Sequence, residues 1–512
     1  MPDIPVPSAF IFPPRPAPPH PRCAGDFRVS FSLAVLLLCC VFGFGACASL
    51  PKADEAAAPS GRPTVVGPKG ELSDKRSQAL FEGLNLEPDV RKNLERQAAM
   101  MESLTGVPLA AGNKVALLVN GPDTYAAMLE AIGNARDHVN LETFIFEADD
   151  TGKNFADLLI RKQMEGVQVN VLYDSVGCKS TPSSFFQRMR DAGIRAVEFN
   201  PINPVKARKS WMLAERDHRK ILIVDGKVAF SGGVNISGVY SKSPSTGSGG
   251  SRSGESSGAS GGRESALSGS SKDAVGGYFT RSEAPWRDTH MRVEGPAVAE
   301  FQRLFLLNWV RQGGPELPDR QYFPEVKREG ADLVHVLGSD PGNKFAAAYL
   351  MYVTAIANGE KTIHLTNAYF VPSEELVRAL QNAARRGVDV KIILPGSTDI
   401  GFVYYAGRSF YSELLDAGVR LYERKGAILH AKTAVIDGAW SNVGSTNLEL
   451  WSFLRNYEIN TIVLGSGFGR EMEEMFQKDL AESDSITPEQ WRRRGATERI
   501  REWFTRLFRP WL

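Results

Sequence analysis

Two short stretches of this chain repeat one pattern of residues that could carry out chemistry. Each has the form H-x-K-x4-D-G, and the histidines of the two stretches lie 212 positions apart. The pattern comprises His218, Lys220 and Asp225 in the first stretch and His430, Lys432 and Asp437 in the second. The chain has only seven histidines, and two of them occupy this duplicated frame. We therefore predict that two half-sites meet to form one active site.

Each motif is followed by a small-residue turn that ends in asparagine. Small residues let a ligand approach the backbone closely, and asparagine supplies a hydrogen-bond donor at the same end of the strand. The predicted phosphate-binding or substrate-binding residues are Gly233 and Asn235 after the first motif and Ser445 and Asn447 after the second. The motif aspartates have two open roles, because a carboxylate there could fix an imidazole tautomer or tie down the motif strand.

The residue types of the combined site indicate phosphodiester chemistry. Strand residues two positions apart face the same side, so each histidine and its lysine should point together. Two imidazoles, two ammonium groups and two carboxamides would stabilise the equatorial oxygens of a phosphodiester as charge shifts in the transition state. One histidine could attack phosphorus, while the other protonates the departing alcohol and then activates the incoming one.

The internal similarity extends beyond the motifs. Residues 166–172 match residues 387–393, and residues 185–195 match residues 410–420 through a shared Asp-Ala-Gly-x-Arg. The order strand, helix, strand, helix, motif therefore occurs twice. This alternation predicts an α/β fold with two lobes, each a mixed, mainly parallel sheet flanked by helices, related by a pseudo-twofold axis.

Composition limits the other classes of function. The formal net charge is +1, so no global field favours nucleic acid, and we predict no nucleic-acid partner. Four of the five cysteines lie in the first 47 residues, which leaves Cys178 as the single thiol of the folded body. The chain contains no C-x-x-C or H-E-x-x-H pattern, and we predict neither a metal site nor a cofactor.

The N-terminal segment carries a targeting pattern. Residues 29–46 are an apolar run behind a basic flank that ends in small residues, as in an export signal. The stretch that follows resembles the start of a mature bacterial lipoprotein, in which Cys47 would receive lipid. Ordinary signal cleavage and an uncleaved membrane anchor are the alternatives. All three predict a body on the exported side of a bacterial membrane, most often membrane-associated, with the inner or outer membrane left open.

These patterns predict five regions. They are a signal, lipoprotein or anchor segment (1–48), a tether and helical region (49–112), lobe 1 (113–325), lobe 2 (326–485) and a basic amphipathic C-terminal helix (486–512). Residues 51–70 are predicted to be a tether with nothing to bury, and the Ser/Gly tract at 242–277 a disordered insertion. From Ile500 onward apolar residues recur at helical spacing among arginines, which fits either a helix in a membrane interface or one docked on the body.

Residues 115–483 resemble the phospholipase D superfamily, and more closely the bacterial cardiolipin synthases. The resemblance is carried by the two motifs and by the segments 173–177, 286–296, 369–374 and 429–447. Asp288 and Glu458 look like the acids that bridge to the catalytic histidines in the family. The resemblance implies that a phosphatidyl group passes to an enzyme histidine and then to the hydroxyl of phosphatidylglycerol, giving cardiolipin. We favour His218 as the nucleophile and His430 as the acid and base.

Several readings of the substrate stay open. The second phospholipid could be phosphatidylglycerol or phosphatidylethanolamine, and the oligomeric state is not indicated. The best-known cardiolipin synthases carry two N-terminal membrane helices, whereas this chain has one apolar segment. Glu449 also stands where aspartate is common in the family. The alternatives are a hydrolytic phospholipase D that releases phosphatidic acid, a nuclease of the same superfamily, and a non-catalytic lipid-binding lipoprotein.

Overall fold

A computed structural model describes residues 50–51, 61–203, 205, 212–244, 284–342 and 346–512. The predictions for residues 1–48, for Cys47 and for most of the 242–277 insertion lie outside these residues. Among the described helices, none combines the length and the apolar character that a membrane crossing needs.

Strands and helices alternate along the described chain. The strands are β1 Val65–Gly67, β2 Gly70–Glu71, β3 Leu109–Val119, β4 His138–Thr143, β5 Gln168–Asp174, β6 Arg195–Phe199, β7 Arg216–Asp217, β8 Ile221–Val224, β9 Val228–Gly232, β10 Trp286–Arg287, β11 Thr289–Glu294, β12 Asp332–Ser339, β13 Thr362–Asn367, β14 Phe370–Val371, β15 Asp389–Pro395, β16 Arg420–Arg424, β17 Ile428–Leu429, β18 Lys432–Ile436, β19 Trp440–Gly444, β20 Leu448–Glu449, β21 Asn456–Leu464 and β22 Ser483–Ile486. The helices are α1 Asp74–Glu82, α2 Pro88–Thr105, α3 Asn120–Gly133, α4 Asp150–Met164, α5 Ser183–Asp191, α6 Val298–Arg311, α7 Ala347–Ala357, α8 Glu374–Arg385, α9 Gly401–Arg408, α10 Tyr411–Asp416, α11 Leu450–Leu454, α12 Ser466–Ala481, α13 Pro488–Arg492 and α14 Ala496–Arg506.

The two lobes repeat one sheet topology. In lobe 1 the strand order is β6-β5-β4-β8-β9-β11-β3, and in lobe 2 it is β16-β15-β13-β18-β19-β21-β12. The predicted two-lobed α/β fold is confirmed. The sheets are less parallel than predicted, because only β4–β6 and their counterparts β13, β15 and β16 run parallel. The other neighbours in these two seven-stranded orders pair antiparallel, since the Asp-Gly turn folds each motif into a hairpin.

The lobes are joined through their sheets. β12 pairs antiparallel with β3, so the two sheets are continuous within a single unit that spans Leu50–Leu512. Two short parallel pairings also cross between lobes: β7 of lobe 1 pairs with the start of β21, and β17 of lobe 2 pairs with β10. This exchange is reciprocal, as expected for halves related by a pseudo-twofold axis.

Helix α8 illustrates how the sequence forms the outer layer. The Ser373 hydroxyl accepts a hydrogen bond from the Leu376 N–H at 3.1 Å, which caps the helix at its start. Leu376, Leu380 and Ala383 recur at helical spacing and are buried in the core of lobe 2. Complete burial of each leucine contributes about 2 kcal/mol. Glu374, Arg378 and Arg385 lie outside this buried stripe and stay exposed.

The prediction that residues 51–70 form a tether with nothing to bury is wrong for the part around Val65. Val65 is fully buried, and β1 pairs in parallel with β3 through Val65 and Leu109. The three-residue strand is too short to stand out from the Pro/Gly-rich sequence around it. It forms because β3 offers a free edge whose backbone groups need partners.

Candidate active site

Each motif histidine follows a short strand that pairs with the opposite lobe, and it precedes the motif strand in the sheet of its own lobe. His218 follows β7, and its N–H donates to the carbonyl oxygen of Tyr457 at 2.9 Å. His430 follows β17, and its N–H donates to the carbonyl oxygen of Arg287 at 2.8 Å. The backbone of each motif is thus held by the opposite lobe. The two imidazole rings face each other with centroids 6.5 Å apart and planes at 76°.

Each histidine also hydrogen-bonds an acid from the opposite lobe. Nδ1 of His218 lies 3.0 Å from both carboxylate oxygens of Glu458, and Nδ1 of His430 lies 2.7 Å from Oδ2 of Asp288. An acid at Nδ1 holds the proton on that nitrogen and leaves the lone pair on Nε2. Among the residues that the structure describes, none hydrogen-bonds Nε2 of either ring. Both reactive nitrogens are therefore oriented and free to meet a substrate.

Burial keeps both imidazoles neutral at physiological pH. Burial, assisted by Lys220 and Lys432 against the attraction of Glu458, lowers the pKa of His218 to about 4. Burial and both lysines hold the pKa of His430 well below its usual range. A neutral imidazole is what a nucleophile or general base requires.

The two supporting acids have pKa values that are shifted in opposite directions. Although burial alone would raise it, His218 and Lys220 hold the pKa of Glu458 below its usual range. Burial raises the pKa of Asp288 to about 6, against the attraction of Lys432. Glu458 is therefore the more firmly ionised partner, which makes its histidine the more electron-rich of the two.

The two motif lysines lie close to the imidazoles and add positive charge to the site. Nζ of Lys220 donates to the carbonyl oxygen of His218 at 2.5 Å, and Nζ of Lys432 donates to that of His430. Burial lowers the pKa of Lys220 to about 7 and that of Lys432 to about 8. A phosphodiester anion placed between them would raise both pKa values again, because an opposite charge favours the ammonium form. The site is therefore arranged to gain charge complementarity when an anion binds.

The motif aspartates lie at the hairpin turns and not beside the histidines. The Asp225 carboxylate accepts hydrogen bonds from the backbone N–H groups of residues 136–138 at 2.8 to 3.2 Å. The Asp437 carboxylate accepts them from residues 360–362 at 2.7 to 3.2 Å. Both aspartates have a φ of 52°, and the following glycines also have positive φ, as a type I′ turn requires. Of the two roles left open by the sequence, these contacts match strand anchoring.

The small residues after the motifs lie against the supporting acids. The Ser445 hydroxyl donates to the Glu458 carboxylate. At the equivalent position in lobe 1, a Cβ atom added to Gly233 would overlap Oδ1 of Asp288. The described contacts place both residues beside the supporting acids, and phosphate binding by Gly233 and Ser445 stays a prediction.

The two asparagines differ in how their side chains are used. Nδ2 of Asn235 donates to the Tyr240 hydroxyl at 3.1 Å, and its Oδ1 accepts from the N–H of Ile145 at 3.1 Å. Asn447 donates to Glu449 at 3.5 Å, and its buried Oδ1 has no hydrogen-bond partner among the described residues. Asn447 is therefore the better placed of the two to rearrange around a bound phosphate.

Gly233→Ala should lower turnover sharply while leaving the fold intact. The added methyl group overlaps the Asp288 carboxylate, which must move away from His430. We expect a loss of about a hundredfold in kcat, in the range seen when a group that orients a catalytic histidine is displaced. Steady-state turnover of a phosphodiester substrate, together with a thermal melt, measures both effects. Ser445→Ala is the matched control, since it removes only one hydrogen bond to Glu458 and should cost far less; equal losses in the two variants would contradict this account.

Several residues around the histidines were not predicted as site residues. The Tyr240 hydroxyl lies 3.3 Å from Nδ1 of His430, and the rings of Trp286 and Tyr369 lie 5.0 and 6.2 Å from that of His430. Phe144 packs at 5.2 Å against His218. Trp286 could have been found, because it lies two residues before Asp288 on one extended segment. For Tyr240 and Phe144 the sequence offers no spacing signal.

The lobe 2 half of the site carries additional acidic groups. The Tyr369 hydroxyl donates to the Asp399 carboxylate at 2.8 Å. Burial, followed by the nearby charge of Glu458, raises the pKa of Glu449 to about 8, so this carboxyl group is protonated at neutral pH. Lobe 1 has Cys178 and Ser237 at the equivalent positions of its repeat. The two halves are therefore alike in their reactive groups and different in their surroundings.

Comparisons with known proteins point to one family. A family model described as cardiolipin synthase, PLD-like domain, matches residues 128–240 and 352–480, and each matched segment holds one motif. The chain is 31% identical over 424 residues to cardiolipin synthase 2 of Bacillus anthracis, covering 82% of this chain and 75% of that protein. It is 30% identical over 426 residues to a cardiolipin synthase of Listeria monocytogenes, covering 83% and 80%. The phosphatidylserine synthase of Haemophilus influenzae has a similar fold, with a TM-score of 0.53, 14% identity and coverage of 80% of this chain and 98% of that one.

Proposed function

Since the chain belongs to the bacterial cardiolipin synthase family of the phospholipase D superfamily, we propose that it makes cardiolipin from phosphatidylglycerol and a second phospholipid. Family membership makes the chain a phospholipid phosphatidyltransferase. The proposal adds the two lipids and a phospho-histidine intermediate.

The proposed reaction has two displacements at one phosphorus atom. Binding of the phosphodiester anion raises the pKa of His430, which takes up a proton on Nε2. Nε2 of His218 then attacks the phosphorus of the donor lipid, and the bond from phosphorus to the departing headgroup oxygen breaks while that proton passes from His430 to the oxygen. The hydroxyl of phosphatidylglycerol then gives its proton to His430 and attacks the same phosphorus, which releases His218. Lys220 and Lys432 stabilise the equatorial oxygens in both steps.

One observation carries this proposal. Two neutral imidazoles face each other at 6.5 Å, each with its Nδ1 bound to an acid from the opposite lobe. In the proposed complex a tetrahedral phosphorus lies between the two rings, with the attacking and leaving groups in line. The ionised Glu458 beside His218 favours that histidine as the nucleophile.

The products separate transfer from hydrolysis. The purified chain would be incubated with phosphatidylglycerol vesicles, with and without phosphatidylethanolamine, and the lipids analysed by mass spectrometry. Cardiolipin with released glycerol supports a phosphatidylglycerol donor, and cardiolipin with released ethanolamine supports phosphatidylethanolamine. Phosphatidic acid as the sole product would refute the proposal in favour of a hydrolytic phospholipase D.

The intermediate has its own test. Phosphatidylglycerol labelled at its phosphorus would be mixed with the enzyme and quenched within one turnover, and the labelled peptide mapped. A phosphoramidate on His218 that resists alkali and is cleaved by acid is the expected result. Label on His430 would reverse the two roles, and an enzyme that makes cardiolipin without becoming labelled would refute the covalent route.

The cellular location is also part of the proposal. We place the body on the exported side of a bacterial membrane, with Cys47 as the lipidated residue. The apolar run before Cys47 and the phospholipid chemistry of the family support this location. Mass spectrometry of the N-terminal peptide from the native membrane would show a diacylglycerol-modified Cys47; an unmodified and uncleaved N-terminus would contradict it.

A further inference from the structure

The C-terminal helix α14 docks on the body through its polar face. Glu502 is buried, and its carboxylate accepts from Nε of Arg494 at 2.9 Å and lies 3.7 Å from Nε of Arg408 on α9. Thr505 is buried one turn further along. Arg501 and Arg506 extend this contact by donating to the Tyr405 hydroxyl and to the Glu413 carboxylate. The helix is therefore held by ion pairs and hydrogen bonds.

The apolar face of the same helix points outward. Its exposed members are Ile500, Trp503, Phe504 and Leu507, which are between 50% and 65% exposed. A surface helix of a globular domain normally turns its apolar stripe toward the core and its charges toward water. Here the orientation is inverted, and the apolar stripe is left half-exposed among the residues that the structure describes.

The exposed apolar surface continues onto lobe 2. Phe402 on α9 stacks edge-on against Phe508 at 5.5 Å, and the N–H of Trp451 on α11 donates to the carbonyl oxygen of Leu512 at 3.0 Å. Phe402, Trp451 and Trp511 are each at least 37% exposed. Together with the four helix residues they form one surface, the C-terminal apolar face. Contiguous patches of this kind mark a binding surface for a partner or a membrane.

The charges around this face match an anionic bilayer. Residues 488–512 hold seven arginines and three glutamates. Arg494, Arg506 and Arg509 pair with carboxylates of Glu502, Glu413 and Glu374, whereas Arg493 and Arg499 are exposed to solvent. Arginines at the rim of an apolar surface that is rich in tryptophan are typical of helices that lie in the membrane interface. Tryptophan and arginine are also common in protein interfaces, but a phospholipid substrate has to be drawn from a bilayer, and this favours a bilayer as the partner of this face.

The face also lies next to the lobe 2 side of the active site. Trp451 is two residues after Glu449, and Phe402 is three residues after Asp399. Asp399 accepts from Tyr369, whose ring is 6.2 Å from that of His430. A membrane that covers this face would therefore bring phospholipid headgroups to the site.

We propose that the C-terminal apolar face is a membrane-docking surface that inserts into the interface of an anionic phospholipid bilayer and presents the active site to lipids within it. This inference rests on the proposed function for its substrate, but docking itself requires no turnover. It is independent of the N-terminal segment, because it concerns the folded body alone.

Tryptophan quenching tests the docking directly in the full chain. The first 50 residues contain no tryptophan, so fluorescence reports only on the rest of the chain, whatever the N-terminal segment does. The chain would be bound to vesicles of phosphatidylglycerol and phosphatidylcholine whose acyl chains carry bromine. Replacing Trp451, Trp503 and Trp511 by phenylalanine keeps the face apolar and should reduce the quenching by about half or more, because interfacial residues reach the acyl boundary. Trp286→Phe, at the active site, is the matched control and should leave most of the quenching.

Quenching that is absent in the wild-type chain, or undiminished in the triple variant, overturns the proposal. An enzyme that is quenched as expected but makes no cardiolipin would leave the docking surface standing while refuting the proposed function. The two failures are thereby distinguishable.

A second set of variants separates a bilayer from a second copy of the chain. Ile500→Gln, Phe504→Gln and Leu507→Gln together should lower turnover on vesicles about tenfold and leave turnover of a short-chain, monomeric phosphatidylglycerol unchanged. Met164→Gln, Val310→Gln and Phe323→Gln remove exposed apolar side chains elsewhere and should alter neither rate. If the first set instead converts an oligomer to a monomer, measured by analytical ultracentrifugation, and vesicle turnover is retained, the face binds another copy and the proposal fails.

Discussion

His218→Ala and His430→Ala are each expected to lower the turnover of phosphatidylglycerol by about ten-thousand-fold or more, because each removes a group that the proposed reaction uses in both displacements. The double variant should be little worse than either single variant, since the two imidazoles act on one phosphorus atom and their effects do not add. The measurement is cardiolipin formed per folded enzyme molecule, with the folded fraction taken from a thermal melt.

A buried histidine outside the site supplies the matched control. His364 is also buried and hydrogen-bonded to an acid, with its Nδ1 2.8 Å from Glu473. His364→Ala should destabilise the fold by about 1–3 kcal/mol, because the carboxylate partner loses its hydrogen bond, and should keep the activity of the molecules that remain folded. If His218→Ala retained full activity, or if His364→Ala lost as much as His218→Ala, the shared-site account would be wrong.

The sequence predicted which groups are reactive, but it did not predict which hydrogen-bond partner each of them has. The duplicated H-x-K frame identifies both histidines and both lysines, because side chains two residues apart on an extended segment face the same way. It does not reveal that His430 is paired with Asp288, 142 residues earlier, or that His218 is paired with Glu458, 240 residues later. These pairings arise from strands that cross between lobes, and such crossings leave no periodic signal in one chain. The resemblance to a family implied that acids bridge to the histidines; the geometry adds which acid serves which histidine.

The spacing of residues in the sequence also does not determine which face of the C-terminal helix packs against the body. The spacing of its apolar residues predicts an amphipathic helix, and the helix Ala496–Arg506 is present. The sequence could not say which face packs inward, because that depends on Arg408 and Glu413 of a distant segment. The sequence also shows both Asp-Gly turns. Each turn makes the next strand run antiparallel to the motif strand. The alternation of helices and strands predicted a mainly parallel sheet, and it did not take these hairpins into account.

Glu458→Gln and Asp288→Asn should each reduce turnover by about a thousandfold or more, the next largest effect after the histidines. The amide group has the same shape as the carboxylate, but it can donate to Nδ1 and so favours the tautomer whose Nε2 carries the proton. At His218 the Nε2 that faces the phosphorus then has no lone pair to attack with, and at His430 the lost carboxylate charge no longer stabilises the protonated ring. Because both acids act through a histidine and do not touch the substrate, we regard them as positioning residues.

The leaving group distinguishes the two acids. A phosphatidyl ester of p-nitrophenol releases an anion that needs no proton, so its first displacement depends on the nucleophile and little on the general acid. Asp288→Asn, which impairs the histidine that protonates the leaving group, should therefore recover most of its loss when the release of p-nitrophenol is followed in a single turnover. Glu458→Gln, which impairs the attacking histidine, should lose as much on this ester as on phosphatidylglycerol. If an acid had a purely structural role, its substitution would lower the turnover of both substrates equally. If only the Glu458 variant recovered its activity on the p-nitrophenol ester, His430 would be the nucleophile.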